Sequence, residues 1–175
     1  MRSFPVRCLI LCLALGMAAP APAQQSEYAV KLAFLFNFGL FAKPTARSEA
    51  AGSTHYDICL YGENPFGPSL HRLEERSIDN RPIRVRQTVV VEELAGCAIA
   101  FFANAESPAA RLAIASLEGR STITVSQSDA FEGLGTIFNL VLVERKVAFE
   151  VNLKMARRNG IGISSSLLQL ARAVL

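Results

Sequence analysis

A single α/β domain, a three-layer sandwich with a mixed, partly parallel sheet flanked by helices, is the fold this sequence predicts. Three observations carry that prediction. Between Tyr56 and Ser126, short β-branched or apolar runs alternate with helical segments, the pattern of parallel strands joined by crossovers. One run, Cys97 to Ala103 (CAIAFFA), is apolar on both faces and is therefore expected at the sheet centre. Two later runs, Thr136 to Val143 and Val147 to Asn152, flank a tight turn at Glu144-Arg145-Lys146, which predicts an antiparallel hairpin at an edge.

The elements follow in order. Glu27 to Ala42 (EYAVKLAFLFNFGLFA) reads as a helix with Val30, Phe34, Phe38 and Phe41 at helical spacing. Leu35, Phe36 and Leu40 make its other faces apolar, so it is expected to be buried or used for association. Pro44 ends it, and a small-residue loop runs from Thr45 to Thr54. Tyr56 to Tyr61 is the first strand, stopped by Gly62, and Asn64-Pro65 opens a short helix through Leu73. Pro82 to Thr88 is a strand with Ile83 and Val85 on one face and Arg84 and Arg86 on the other. A helical turn over Val89 to Gly96 precedes the central strand. Ser107-Pro108 starts a helix that stops at Gly119, and Ser121 to Ser126 (STITVS) is a strand. After the hairpin, a helix from Leu153 ends at Asn159-Gly160, and Ser164 caps a last helix to Val174.

The first 23 residues read differently. Arg2 and Arg7 form a positive n-region, Cys8 to Met17 a short apolar core, and Ala21-Pro22-Ala23 a cleavage site for secretion. Leu11 stands where a lipid-anchored chain has a small residue before its cysteine, which argues against acylation of Cys12. Residues 1–23 are thus expected to be a cleaved signal peptide, leaving residues 24–175 as one domain exported to the periplasm. Losing two arginines and no carboxylate takes the formal charge from +3 to +1. No basic run interleaves with aromatics, so nucleic acid is not an expected partner.

Cys8 and Cys12 leave with the signal, and Cys59 and Cys97 remain in an oxidising compartment. A structural disulfide between them follows from that location. Closing the 37 intervening residues stabilises the fold by about 4 kcal/mol in the chain-entropy view.

Catalysis needs a constellation, and the sequence offers none: no lysine-bearing phosphate loop, no HExxH, no CxxC and no GxSxG. No catalytic residue, metal site or cofactor is expected. His55 precedes a strand near Asp57, and His71 lies on an amphipathic helix; both read as ordinary polar positions. Ser128, Asp129 and Phe131, after a strand whose carboxyl end is predicted there, are the candidates for binding a small ligand. The competing view is a turn held by the short carboxylate of Asp129. Asn152 is expected to cap its helix, and Asn37 to join a buried polar network. A partner surface is expected on Val151, Ile161, Ile163, Leu167 and Leu168. There the Gly160-Ile161-Gly162-Ile163 stretch presents aliphatic groups on a flexible, glycine-flanked segment; core packing is the alternative for each.

Several stretches together resemble one family, the periplasmic YfiR-like proteins. They are Tyr28 to Phe38 (YAVKLAFLFNF), Ile58 to Gly67 (ICLYGENPFG), Gly96 to Phe102 (GCAIAFF), Thr124-Val125-Ser126 with Phe131, Phe149 to Asn152 (FEVN) and Ser164 to Ala171 (SSSLLQLA). Lys43-Pro44 stands where the family often has Trp-Pro, and a second cysteine pair of some relatives is missing. The resemblance implies a repressor that binds the periplasmic sensor domain of an inner-membrane diguanylate cyclase and holds cyclic-di-GMP synthesis down. It also implies a homodimer, and an outer-membrane lipoprotein able to draw the repressor away. The alternative function is a small-ligand sensor feeding a membrane kinase or other signalling partner.

Overall fold

The computed structural model describes residues 22–45 and 53–175, so the expected signal segment falls almost wholly outside it, as does most of the expected Thr45–Thr54 loop. Eight strands form one mixed sheet, and helices cover both faces. In chain order the elements are α1 (Pro22–Phe41), β1 (Ala42–Pro44), β2 (Tyr56–Tyr61), α2 (His71–Glu74), β3 (Ser77–Ile78), β4 (Arg81–Thr88), β5 (Ile99–Phe102), α3 (Pro108–Ser116), β6 (Ile123–Gln127), β7 (Phe138–Val143), β8 (Lys146–Val151), α4 (Leu153–Arg158), β9 (Ile161–Ile163), α5 (Ser165–Leu170) and β10 (Ala173–Val174). Short 3-10 turns at Gly67–Leu70 and Val91–Gly96 complete the two brief helical stretches that the sequence predicts.

The sheet order is β10-β8-β7-β6-β5-β2-β4-β3. Strands β4, β2, β5, β6 and β7 are mutually parallel, whereas β7–β8 and β4–β3 are antiparallel. The apolar CAIAFFA run supplies β5, every residue of which is buried between β2 and β6, as its two-sided hydrophobicity requires. Both hairpins turn on two residues with positive φ, Asp79-Asn80 and Glu144-Arg145, the geometry that matches the twist of paired strands. The predicted hairpin does not end the sheet, because β10 pairs in parallel with β8 outside it.

Two apolar cores lie on opposite faces. The larger gathers Leu32, Leu35 and Phe38 of α1 with Ile58, Ile99, Phe138, Phe149 and Val151 of the strands. The smaller packs Ala110, Ala113 and Ile114 of α3 over Cys59, Cys97, Ala100 and Phe102. Helix α1 has apolar residues nearly all round, yet one side dominates: Leu35 and Phe38 are fully buried while Val30 and Phe41 are more than two-fifths exposed. Gly39 sits where α1 crosses the sheet edge. A methyl there meets Ile78 Cδ1 at 2.6 Å and Tyr56 Oη at 3.0 Å. We expect Gly39→Ala to cost about 2 kcal/mol in overpacking, offset by a helix-propensity gain of about 1 kcal/mol. A net loss of about 1 kcal/mol in urea denaturation checks this; a gain in stability refutes it.

Four short strands, β1, β3, β9 and β10, were not predicted, and the last helix is shorter than expected. Chain that leaves α1 runs on as β1 and pairs antiparallel with β9, matching Ala42 to Ile163 and Pro44 to Ile161. The Gly160–Ile163 stretch is therefore a paired strand and not a flexible segment. Helix α5 stops at Leu170, and Ala173–Val174 becomes β10 because the sheet offers β8 as an open edge. Tertiary pairing overrides local pattern in each case.

Candidate functional site

The five expected partner residues come together at one end of the large core, but not at one depth. Val151 ends β8, Ile161 begins β9 and Leu167 lies on α5; all three are at most 4% exposed. A buried side chain offers nothing to a partner, so these three serve core packing. Ile163 and Leu168 are half-buried against that cluster, which leaves part of each side chain at the surface. The backbone holds this corner firmly: Ser164 N–H donates to Phe41 O at 2.9 Å, and Thr45 N–H to Gly160 O at 2.7 Å. Ser164 also caps α5, its hydroxyl accepting from Leu167 N–H. Phe41, 44% exposed, and Leu170, 73% exposed, belong to the same α1–β9–α5 corner. Sequence reasoning missed both, because neither residue's spacing says which side of its helix another element covers.

The expected ligand residues divide as well. Ser128 is half-buried just past β6, Asp129 is exposed, and Phe131 is buried at 5%. The turn is held by Ser128 and not by Asp129: Ser128 Oγ accepts from Ala130 N–H at 2.9 Å and donates to the Glu106 carboxylate. Ser128 and Asp129 line an open cavity of about 350 Å³ with Glu27, Lys31, Glu106, Gln127 and Leu140 to Leu142. Phe131 is buried and does not line that cavity.

At the cavity floor Lys31 of α1 is nearly sealed from water. Its ammonium pairs with Glu27 and donates to Gln127 Oε1 at 2.7 Å, which fastens α1 to the end of β6. Below it runs a fully buried polar chain. Ser126 Oγ lies 2.8 Å from Thr136 Oγ1 and 2.9 Å from Asn139 Oδ1, and Asn139 Nδ2 donates to Ser128 O at 2.8 Å and to Glu150 Oε2 at 3.2 Å. Every buried polar atom in that chain has a partner, as burial demands. Asn139, therefore, plays the part expected of Asn37. Asn37 itself is half-buried on α1, and its side chain makes no hydrogen bond among the described residues. Asn152 does cap its helix, accepting from Met155 N–H at 3.0 Å.

Asp57 is paired by register. On neighbouring parallel strands it lies opposite Arg84, whose Nε and Nη2 donate to its two oxygens at 2.6 and 3.0 Å. That hydrogen bonding raises the Arg84 guanidinium above its ordinary value. His55 contacts Thr54 instead of Asp57, and His71 lies exposed against Pro68 O. Cys59 and Cys97 are joined by a disulfide with a Cα separation of 6.0 Å, both sulfurs buried on the α3 side. Arg86 Nη2 donates to Cys97 Sγ at 3.3 Å. Among the described residues, no group of three or more His, Cys, Asp or Glu side chains could hold a metal ion, and no helix is long and apolar enough to cross a membrane.

Comparison with known proteins finds a family by sequence and solved structures by shape. A family model described as YfiR/HmsC-like matches residues 28–172. No curated protein matches. Among solved structures, the chain is similar to an ABC domain from Streptococcus pneumonia solved in complex with L-Trp, with a TM-score of 0.50 and 11% sequence identity. That similarity covers 69% of this chain and 55% of the other, so the chain spans little more than half of that relative's length. At this identity the likeness concerns the fold alone.

Proposed function

Because this chain belongs to the YfiR/HmsC-like family, we propose that it is a periplasmic regulator that represses an inner-membrane diguanylate cyclase by binding the enzyme's periplasmic sensor domain. The observation that carries the reading is the family match across residues 28–172, which spans both cores and every strand of the sheet but β10. Residues 1–23 act as the export signal, and residues 24–175 work as the regulatory domain, without catalysis of their own. The contact surface is the α1–β9–α5 corner, where Ile163 and Leu168 are flanked by exposed Phe41 and Leu170. Large apolar side chains gathered at a surface are what a protein partner covers. A homodimer, and sequestration by an outer-membrane lipoprotein, fit the same scheme.

The test is a pull-down of the exported chain on the purified sensor domain of a membrane cyclase encoded beside it, with cyclase output measured in cells. Ile163→Asp with Leu168→Asp is expected to weaken capture at least about tenfold and raise cyclic-di-GMP, with the melting curve held close to the parent. Failure of the unaltered chain to bind any such domain sinks the proposal. A second reading, a small-ligand sensor, is favoured by the 350 Å³ cavity at Ser128 and Asp129. A thermal shift with a metabolite panel, abolished by blocking that cavity, is its signature.

A further inference from the structure

Positive charge is concentrated at a place none of the sequence motifs marks. Helices α3 and α4 and the Gly133–Gly135 turn enclose an open groove of about 360 Å³. Its floor is apolar, made by Ile114, Leu134 and Met155, each no more than 9% exposed. Its rim carries three exposed cations, Arg111, Lys154 and Arg158, against a single carboxylate, Glu118.

That carboxylate is already engaged, since Arg158 Nη1 donates to Glu118 Oε1 at 2.9 Å. Arg111 spends only its Nε, on Glu106 O at 3.2 Å. Neither Arg111 nor Lys154 makes an ion pair among the described residues. With a formal charge of only +3 over the whole chain, this is a local excess and not a general basicity.

The groove is also held in shape before anything enters it. Asn159, 2% exposed, accepts from Gly119 N–H at 3.1 Å and so ties the end of α4 to the turn after α3. The Arg158–Glu118 pair spans the same two helices, and Asn152 caps α4 beneath Lys154. A groove whose walls are fixed in this way loses little entropy on binding.

We propose that this groove docks an acidic, amphipathic segment of a protein partner, with carboxylates on Arg111 and Lys154 and aliphatic side chains against exposed Ala115 and the Met155 edge of the floor. The chemistry selects that occupant. A free inorganic anion satisfies the cations and wastes the apolar floor, whereas a purely apolar segment leaves two cations uncompensated at the rim. Ala115, exposed one turn from Arg111 on the same face of α3, carries the apolar lining to the surface. The proposal rests on the reading that the chain acts by binding a protein, not on which protein that is.

Fluorescence anisotropy of the full chain with a labelled peptide alternating glutamate and leucine tests it without any cyclase. Its failure is therefore distinguishable from failure of the repressor reading. Binding is expected to fall steeply with added salt, to be lost when glutamine replaces glutamate in the peptide, and to weaken at least about tenfold in the Arg111→Glu, Lys154→Glu double variant. Arg111→Lys is expected to keep most of the affinity, and both variants to melt with the parent. Equal binding of the glutamine peptide, unchanged binding by the charge-reversed variant, or displacement of the peptide by millimolar inorganic phosphate each overturns the proposal.

Discussion

Replacing Phe38 by alanine is expected to lower the stability of the fold by about 4 kcal/mol, the usual cost of deleting a fully buried phenyl ring. Phe38 is the ring on which the larger core converges. It stacks face to face on Phe138 of β7 with centroids 4.0 Å apart and planes within 5°. Phe149 of β8 meets its edge at 5.2 Å, and Phe34 lies one turn away at 6.0 Å. No water reaches it. Truncation thus removes the contact between α1 and two adjacent strands at once, and the cavity cannot close, because the rigid sheet forms its other wall. Urea denaturation gives the measurement: the midpoint should fall with an unchanged slope. Phe38→Leu, which keeps most of the volume, should lose under about 1.5 kcal/mol. A loss that small for the alanine variant would mean that α1 is not anchored there. Domains of this size have only about 5–15 kcal/mol in hand, so the alanine variant is also expected to be low in abundance.

The second large effect is expected from the disulfide. Its sulfurs sit between β2 and the start of β5, strands already joined by a parallel ladder from Ile58–Ile99 onward. The native state gains little new constraint from the bond. What changes is the unfolded chain, which loses the freedom of a loop spanning a sequence separation of 38 residues. In that view, removing both cysteines as Cys59→Ala with Cys97→Ala costs about 4 kcal/mol, and reduction of the parent chain costs the same. Denaturation curves of the parent with and without reductant, beside the double variant in both conditions, separate the bond from packing. Coincident parent curves would show the bond to be idle. If repression tracks stability, the double variant should release the cyclase in proportion to its unfolded fraction.

How far the sequence speaks depends on whether a signal is local. Ser107-Pro108, Asn152 and Ser164 start their helices where expected, since a cap and the N–H it accepts lie three residues apart. The two-faced hydrophobicity of Ile99 to Phe102 located the sheet centre, because only a strand covered on both sides tolerates it. Strands β1 and β9 were not legible. Each is three residues long, and each exists only by pairing with the other from far along the chain, Ala42 with Ile163 at a separation of 121 residues. The hairpin at Asp79-Asn80 went unread too, since the two residues of β3 carry no alternation to mark a strand. The candidate surface suffered from the same limit. Alternation separates one face of a strand from the other, but it cannot say whether a second layer covers that face, and so Ile161 and Ile163 looked equivalent. Lys31 was unreadable for a related reason: a lysine amid apolar residues implies a partner, and its partner Gln127 comes from a distant strand.

The two outermost strands, β3 and β10, are only two residues long. An eight-stranded sheet with long, bare margins is a template on which other chains can add strands, and so grow into aggregates. Here each outermost strand is a dipeptide that covers two residues of its neighbour, Ser77–Ile78 on β4 and Ala173–Val174 on β8. A sheet finished in dipeptides is poorly suited to edge-to-edge polymerisation. Beyond the dipeptides, β4 and β8 run on for several residues, so a strand added to this sheet would have to be placed there.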